Sequence, residues 1–285
     1  TQYVAIEALA KLKDKRAADV FLAALSSSYD MIRIRAAEGL AANGETRAVP
    51  MLIDAMQKHP EKGEPRIYLN SLAALGDRSA VPAVCAVLAD HQDFDEREAA
   101  ASALGQLGGE QARDALLAAL RTQAIPTVRG AAAAALGVLE DPAAIAPLSD
   151  ALRFDGEPVQ AEAAQAIVRI GTSEAFAALL AAYPSFGRVV EGDTLTAARI
   201  IIDALGASDS PRALDIVFEL LRDNRIPDQK LQLQAALALA DKKDSRAAEF
   251  LNKLRGNPET HVDSERALLE TQGQLPETPA QTAAP

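Results

Sequence analysis

The chain has 285 residues, 49% of them hydrophobic, and carries 29 Lys and Arg against 40 Asp and Glu, a formal net charge of −11 with a pI near 4.9. That acidic balance argues against nucleic acid as the main partner, because phosphate binding depends on a neutralising basic surface. Cys85 is the only cysteine, which excludes an intrachain disulfide, and no apolar run approaches the roughly 20 residues that span a bilayer.

The chain opens at Thr1 already in helical pattern, with Tyr3, Val4, Ile6 and Leu9 at apolar spacing. Repeat arrays need an end unit with a polar outer face. None precedes this helix, so we expect a piece or processed product of a longer polypeptide. The next signal is an alanine that opens a second helix at Ala17 and recurs at Ala48, Ala80, Ala112, Ala144, Ala175, Ala213 and Ala247. Five of the seven intervals are nearly equal, and the two longer ones end at Ala213 and Ala247. A period in this range is the mark of stacked helical pairs, each burying its apolar face against its neighbours.

Three residues ahead of the alanine, Asp14, Glu45, Asp77, Asp141 and Asp244 are placed to accept the unpaired N–H groups that open the second helix. Gly76, Gly108, Gly171 and Gly206 precede these turns and are expected to close the first helices in the left-handed conformation. Arg33, Arg97 and Arg129 share one repeat position, with Pro65 and Gln160 replacing the arginine in the third and sixth units. Those two interfaces are expected to be looser. Cys85 stands among aliphatic residues and reads as a small buried hydrophobe. His59 and His91 fall at equivalent places in adjacent units, but no strong ligand pattern surrounds them, so they read as solvated loop residues.

The fifth unit shows the pattern most fully. Val128-Arg129 opens it, Ala135-Leu136-Gly137 ends its first helix, and the turn Glu140-Asp141-Pro142 leads to Ile145-Ala146-Pro147-Leu148. With the Val-Pro-x-Leu second helices, this combination resembles HEAT repeats, and more narrowly the short bacterial HEAT-like class named after phycobilisome lyases. The resemblance covers roughly residues 1 to 256. It implies an all-α, right-handed solenoid of about eight helical hairpins, and inter-unit bonding for the repeated arginine. It also implies that the second helices line a concave surface. Their outward positions then form a ladder of Asp54, Ala86, Ala118, Asp150, Ala181 and Glu219, with Arg121, Arg153 and Arg222 forming another at the helix C-termini. The helix dipole alone explains the arginines. The alternative is a groove that holds an extended or helical segment of a partner protein.

The long interval ahead of Ala213 places an insertion at residues 183 to 194, and insertions in solenoids are often where partners touch. It holds Tyr183, Phe186 and Arg188, while Phe154 stands at the matching place one repeat before Phe186. These four are expected either to form an edge patch that anchors a protein ligand or, for the two phenylalanines, to plug gaps between units; the second reading is preferred. After Gly256-Asn257-Pro258 the pattern changes. Asp263 to Thr271 reads as a capping helix within a segment from 257 to 271, with Leu268 and Leu269 inward, and residues 272 to 285 read as disordered.

Relatives of this repeat class include di-iron hydroxylases with paired His-Glu motifs and DNA glycosylases with a basic, aromatic-lined groove. The three histidines are followed by Pro60, Gln92 and Val262, so the hydroxylase ligands are missing, and the acidic chain does not suit the glycosylases. No phosphate loop, nucleophile elbow or Cys-His pair is present. The function expected is a non-catalytic scaffold or accessory domain with a protein partner, no cofactor and no metal. The alternatives are a bilin-lyase-like enzyme subunit, or the C-terminal regulatory domain of a larger hydrolase. Compartment is not fixed by the sequence; the cytoplasm is favoured, with a periplasmic or secreted location if an N-terminal segment was removed.

Overall fold

The computed structural model describes residues 2–12, 14–59, 64–182, 193–226 and 228–271, and among them every regular element is helical. The fold is an all-α solenoid. The chain forms two compact units, 1–172 and 173–285. The first contains α1 (Gln2–Leu12), α2 (Ala18–Ala24), α3 (Asp30–Ala42), α4 (Val49–Lys58), α5 (Glu64–Leu75), α6 (Val81–Asp90), α7 (Phe94–Leu107), α8 (Glu110–Thr122), α9 (Pro126–Leu139), α10 (Ile145–Phe154) and α11 (Glu157–Ile170). The second contains α12 (Ser173–Ala182), α13 (Asp193–Ala207), α14 (Pro211–Arg222), α15 (Gln229–Asp241), α16 (Ala247–Leu254) and α17 (His261–Thr271).

In the first unit the odd-numbered helices pack successively, α1 on α3 and onward to α11, while α6, α8 and α10 pack in turn beside them. In the second unit α13 packs on α15, α14 and α16 flank α15, and α17 covers α15 and α16. On α17, Ser264, Ala267 and Leu268 are buried and Leu269 is half-buried. Insertions aside, the repeats share their most deeply buried positions. The eight anchor alanines are all buried, and eight residues ahead of the anchor Leu40, Leu72, Leu104, Leu136 and Ile167 are fully enclosed. A side chain of that size contributes about 2 kcal/mol when removed from water.

The turns obey the acid-cap expectation. Asp14 accepts from the Arg16 N–H, Glu45 from Arg47, Asp77 from Ser79, Asp141 from Ala143 and Asp244 from Arg246, at 2.9 to 3.3 Å. For the first four, a turn of 3-10 helix follows, and the buried alanine closes it before the α-helix begins. Pro50 and Pro82 then occupy the first turn of α4 and α6, where a missing N–H costs nothing.

The glycines divide into two registers. Four residues ahead of the anchor, Gly44, Gly76, Gly108 and Gly171 have φ between 66° and 69°, a region that glycine enters freely; Gly171 is left-handed as expected, with ψ of 9°, whereas Gly108 has ψ of −171° and is not. Glu140 and Lys243 hold the same register with φ of 53° and 58°, despite their side chains. Gly206 does not belong to this set, contrary to expectation. It lies inside α13, seven residues ahead of its anchor, where a Cβ would sit 2.6 Å from the Cβ of Ala238. Gly105 and Gly137 share that register, against Ala135 and Ala166 respectively. Glycine is needed there for close helix approach, not for a turn.

Candidate protein-binding face

Helices α4, α6, α8 and α10 turn their buried sides, such as Leu52, Val84, Leu116 and Leu148, toward the odd-numbered helices. The residues six beyond each anchor therefore point away from the core. Asp54, Ala86, Ala118 and Asp150 are all exposed, one per helix, and α8 packs between α6 and α10. In the first unit, then, these four positions of the expected ladder are open to solvent. Helices packed this way lie about 8–10 Å apart, so successive rungs are close enough to be read by one bound segment.

The rungs differ in how free they are. Asp54 is tied to Lys58 one turn along, at 2.8 Å between two exposed side chains, a contact worth little in water. Asp150 forms no ion pair or hydrogen bond with any described residue, and neither do Arg121 on α8 or Arg153 on α10. All three are exposed. Asp150, Arg153 and Phe154 lie three and four residues apart on α10, which places them on one helical face. Arg121 occupies the same register as Arg153, one helix away.

Phe154 overturns an expectation. Its side chain does not plug a gap between units, since the residue is 82% exposed at the end of α10. The reason lies in the next residue: Asp155 leaves the helix in extended conformation and pairs with Arg129, which turns the chain inward and leaves the ring outside. Tyr183, Phe186 and Arg188 lie outside the described residues. In the second unit, Ala181 is exposed on α12, and Glu219 is half-buried with Arg212 at 3.2 Å. Arg222 is occupied locally, donating to Asp223 at 2.8 Å and lying 5.7 Å over the Phe218 ring.

The repeated arginines bond between units, as the resemblance implies. Arg97 donates to the His91 carbonyl and to Gln123, and Arg129 to the Gln123 carbonyl and Asp155. Each guanidinium joins the loop ahead of its own helix to the loop after the next one. Gln232 repeats the first half of that pattern on the Ile226 carbonyl. Arg33 goes further. It is 4% exposed and meets Glu64, 3% exposed, through two parallel bonds of 2.8 and 2.9 Å, while Tyr68 donates to the same carboxylate at 2.9 Å. Burial works to raise the Glu64 carboxyl, but the bonds from Arg33 and Tyr68 outweigh it and hold the group below the usual carboxylate range. Sequence reading found Arg33 and missed Glu64, whose one signal was its place in the following repeat, beside the proline that replaces the next arginine.

The remaining candidates carry no chemistry of their own. Cys85 is half-buried, not fully buried as expected, and burial pushes its thiol up, away from the reactive thiolate. The Nδ1 of His91 accepts from the Asp93 N–H at 3.2 Å. Among the described residues no three His, Cys, Asp or Glu side chains gather as a metal site would require, and no helix is long and apolar enough to cross a membrane.

Models of HEAT repeats match residues 1–64, 50–137 and 114–197, well over half of the chain. The chain belongs to the HEAT-repeat family. Among solved structures, this HEAT-repeat chain is similar to phycocyanin lyase in the complex of CpcE and CpcF from Nostoc sp. PCC7120, at 23% identity and a TM-score of 0.48, covering 90% of this chain and 94% of that one. It is also similar to YibA of E. coli, at 17% identity, a TM-score of 0.49 and coverage of 94% and 96%. Human deoxyhypusine hydroxylase in complex with glycerol follows at 21% identity, a TM-score of 0.38 and coverage of 72% and 77%. At such identities the likeness concerns the fold and does not transfer an activity. No curated protein matches the sequence.

Proposed function

We propose that this HEAT-repeat chain is a non-catalytic binding module, a scaffold or accessory domain that holds a segment of a partner protein across the outward faces of α8 and α10. The observation that carries the reading is Phe154. A phenylalanine left 82% exposed in a chain with only 4% aromatics, beside charged side chains that serve no internal bond, suits a hydrophobic anchor with a polar rim. Arg121 and Arg153 supply two cationic positions one helix apart, and Asp150 a single anionic one. The exposed alanines Ala86 and Ala118 keep the approach open. A complementary segment presents an apolar side chain to Phe154 and acidic groups to the two arginines, as an amphipathic helix or an extended strand.

The test is site-specific crosslinking with a photoreactive phenylalanine analogue. Placed at position 154 in cells of the source organism, it should crosslink one defined protein, and Arg153→Glu should reduce that product at least severalfold. The same analogue at Asn70, exposed on α5, should not give it. Equal products from both positions, or a product insensitive to Arg153→Glu, would remove α8 and α10 as the binding face.

A further inference from the structure

Among the described residues three aromatic side chains are exposed, Tyr29, Phe94 and Phe154, and all three stand on the edge of the first unit where loops join one helical pair to the next. Phe94 opens α7 directly after the α6–α7 loop and is 45% exposed. Its ring is braced. The Arg97 guanidinium lies over it at 5.8 Å and is itself held by the His91 carbonyl and by Gln123. The side chain is thus in place before anything binds, which lowers the ordering cost of using it as an anchor. Phe94 holds the place of Pro126 and Glu157 in later units, and Phe154 the place of Asp90 and Thr122 in earlier ones, so stacking requires an aromatic ring at neither.

Phe154 lies almost two units beyond Phe94. With neighbouring helices about 8–10 Å apart, the two rings stand about 16–20 Å apart along the edge. The one loop between them, from α8 to α9, presents Ala124, Pro126 and Thr127, all exposed and uncharged. Free charge of opposite sign marks the two ends. Beside Phe94, Asp90 and Asp95 are exposed, and their carboxylates form no ion pair or hydrogen bond with any described residue. Beside Phe154 the free charges are those of Arg153 and, at the end of the preceding second helix, Arg121, whereas Asp155 is paired with Arg129 and Glu157 is also engaged. The edge is a single row of loop tips, one per unit, and suits a chain one strand wide better than a helix at least 10 Å across. We propose that the partner segment held at Phe154 continues in extended conformation to Phe94, with a basic group beside the apolar side chain that meets Phe94 and an acidic group beside the one that meets Phe154. That extension rests on α8 and α10 being the binding face, and adds a second anchor, a conformation and an order of charges.

The photoreactive phenylalanine analogue, placed in turn at positions 94 and 154 in cells of the source organism, serves as a ruler. Both positions should crosslink the same protein. An extended chain covers the distance between them in about five or six residues and a helix in about eleven to thirteen, so mass-spectrometric mapping should place the two attachment points about five or six residues apart. Lys or Arg should stand beside the first point and Asp or Glu beside the second. The analogue at Thr46, exposed on the opposite edge, should not give that product. Asp90→Lys should weaken the crosslink from position 154 at least severalfold, with Asp90→Asn intermediate. Asp90 is the last residue of α6, where the helix dipole favours a cation, so the urea midpoint of the lysine variant should not fall and unfolding cannot account for the loss. A product from position 154 with none, or a different protein, from position 94 overturns the extension and leaves α8 and α10 as the binding face. No product from either position removes that face and the extension with it. Attachment points spaced as on a helix, crosslinking of the purified chain to a second copy of itself, or full crosslinking by both Asp90 variants would each overturn the proposal.

Discussion

Replacing Glu64 by glutamine should be among the most damaging single changes in the first unit that leave the size of a side chain intact. The Arg33 guanidinium is 4% exposed, and its neutralising contact is the two parallel bonds to the Glu64 carboxylate. Its other bond, to the Ser27 carbonyl at 2.8 Å, provides no charge. Glutamine keeps one acceptor but leaves a buried cation uncompensated. Breaking a buried pair from one side costs about 3–5 kcal/mol, and the retained acceptor sets the expected loss near the lower end, about 3 kcal/mol. Taking all three polar tips away together, with Arg33→Met, Glu64→Leu and Tyr68→Phe, should instead land within about 1 kcal/mol of the parent, because no buried charge or orphaned hydroxyl remains. Urea unfolding followed by tyrosine fluorescence suits the comparison. The chain has no tryptophan and four tyrosines, and Tyr3, Tyr29 and Tyr68 all lie in the first unit, so the signal reports chiefly on it. A Glu64→Gln loss below about 1 kcal/mol, the scale of an exposed pair, would refute the reasoning. So would a triple variant worse than the single one.

The same carboxylate sets a pH dependence. Its folded value is lowered, so the stability it contributes is fully present above the unfolded value of about 4.3 and is lost as pH falls through the folded one. The urea midpoint of the first unit should fall below about pH 4, with a visibly shallower fall in Glu64→Gln; parallel profiles would contradict this. Gly137→Ala should destabilise by about 1–3 kcal/mol through overpacking against Ala166, even though alanine is the better helix former. Gly130→Ala, whose new Cβ would meet only the Glu162 Cγ at 3.6 Å, should stabilise by up to about 1 kcal/mol, and thermal melts showing the same sign for both would be inconsistent with the two environments. Glu140→Gly should raise the melting temperature, since its left-handed backbone costs a non-glycine residue about 1 kcal/mol or more, and a lowered value would mean that the carboxylate makes an offsetting contribution.

What was legible in the sequence is what the repeat imposes many times over. The anchor alanines, the acids that cap the turns and the inter-unit arginines recur because each unit must solve the same packing and hydrogen-bonding problem, and all three sets sit where their spacing placed them. Errors arose where one residue type answers two different needs. Gly76 and Gly206 both follow a leucine near a helix end, yet the first supplies a positive φ and the second a missing Cβ; only the distance to the anchor, four residues against seven, separates them. Partnerships made once were barely legible. Nothing in the period announces that Glu64 serves Arg33, because Arg97 and Arg129 solve the same problem with Gln123 and Asp155.

That distinction bears on where function resides. A contact repeated in every unit is determined by stacking, so any single unit can be understood from its neighbours and has no freedom left to recognise a partner. Freedom exists where the register allows a side chain that stacking does not use. Phe154 is such a place, as are Asp150 and Arg153 on the same face of α10, and the ladder alone could not show it, because Ala86 and Ala118 satisfy stacking just as well from equivalent positions on α6 and α8. Exchanging the two kinds of residue separates the roles. Phe154→Ala should leave the urea midpoint of the first unit within about 0.5 kcal/mol of the parent, as exposed substitutions do, while abolishing copurification of the protein identified by crosslinking. Leu148→Ala, six residues away and fully buried, should cost about 2–5 kcal/mol. If Phe154→Ala destabilised the unit as Leu148→Ala does, the ring would be a stacking element after all, and the binding face would have to be sought elsewhere on the array.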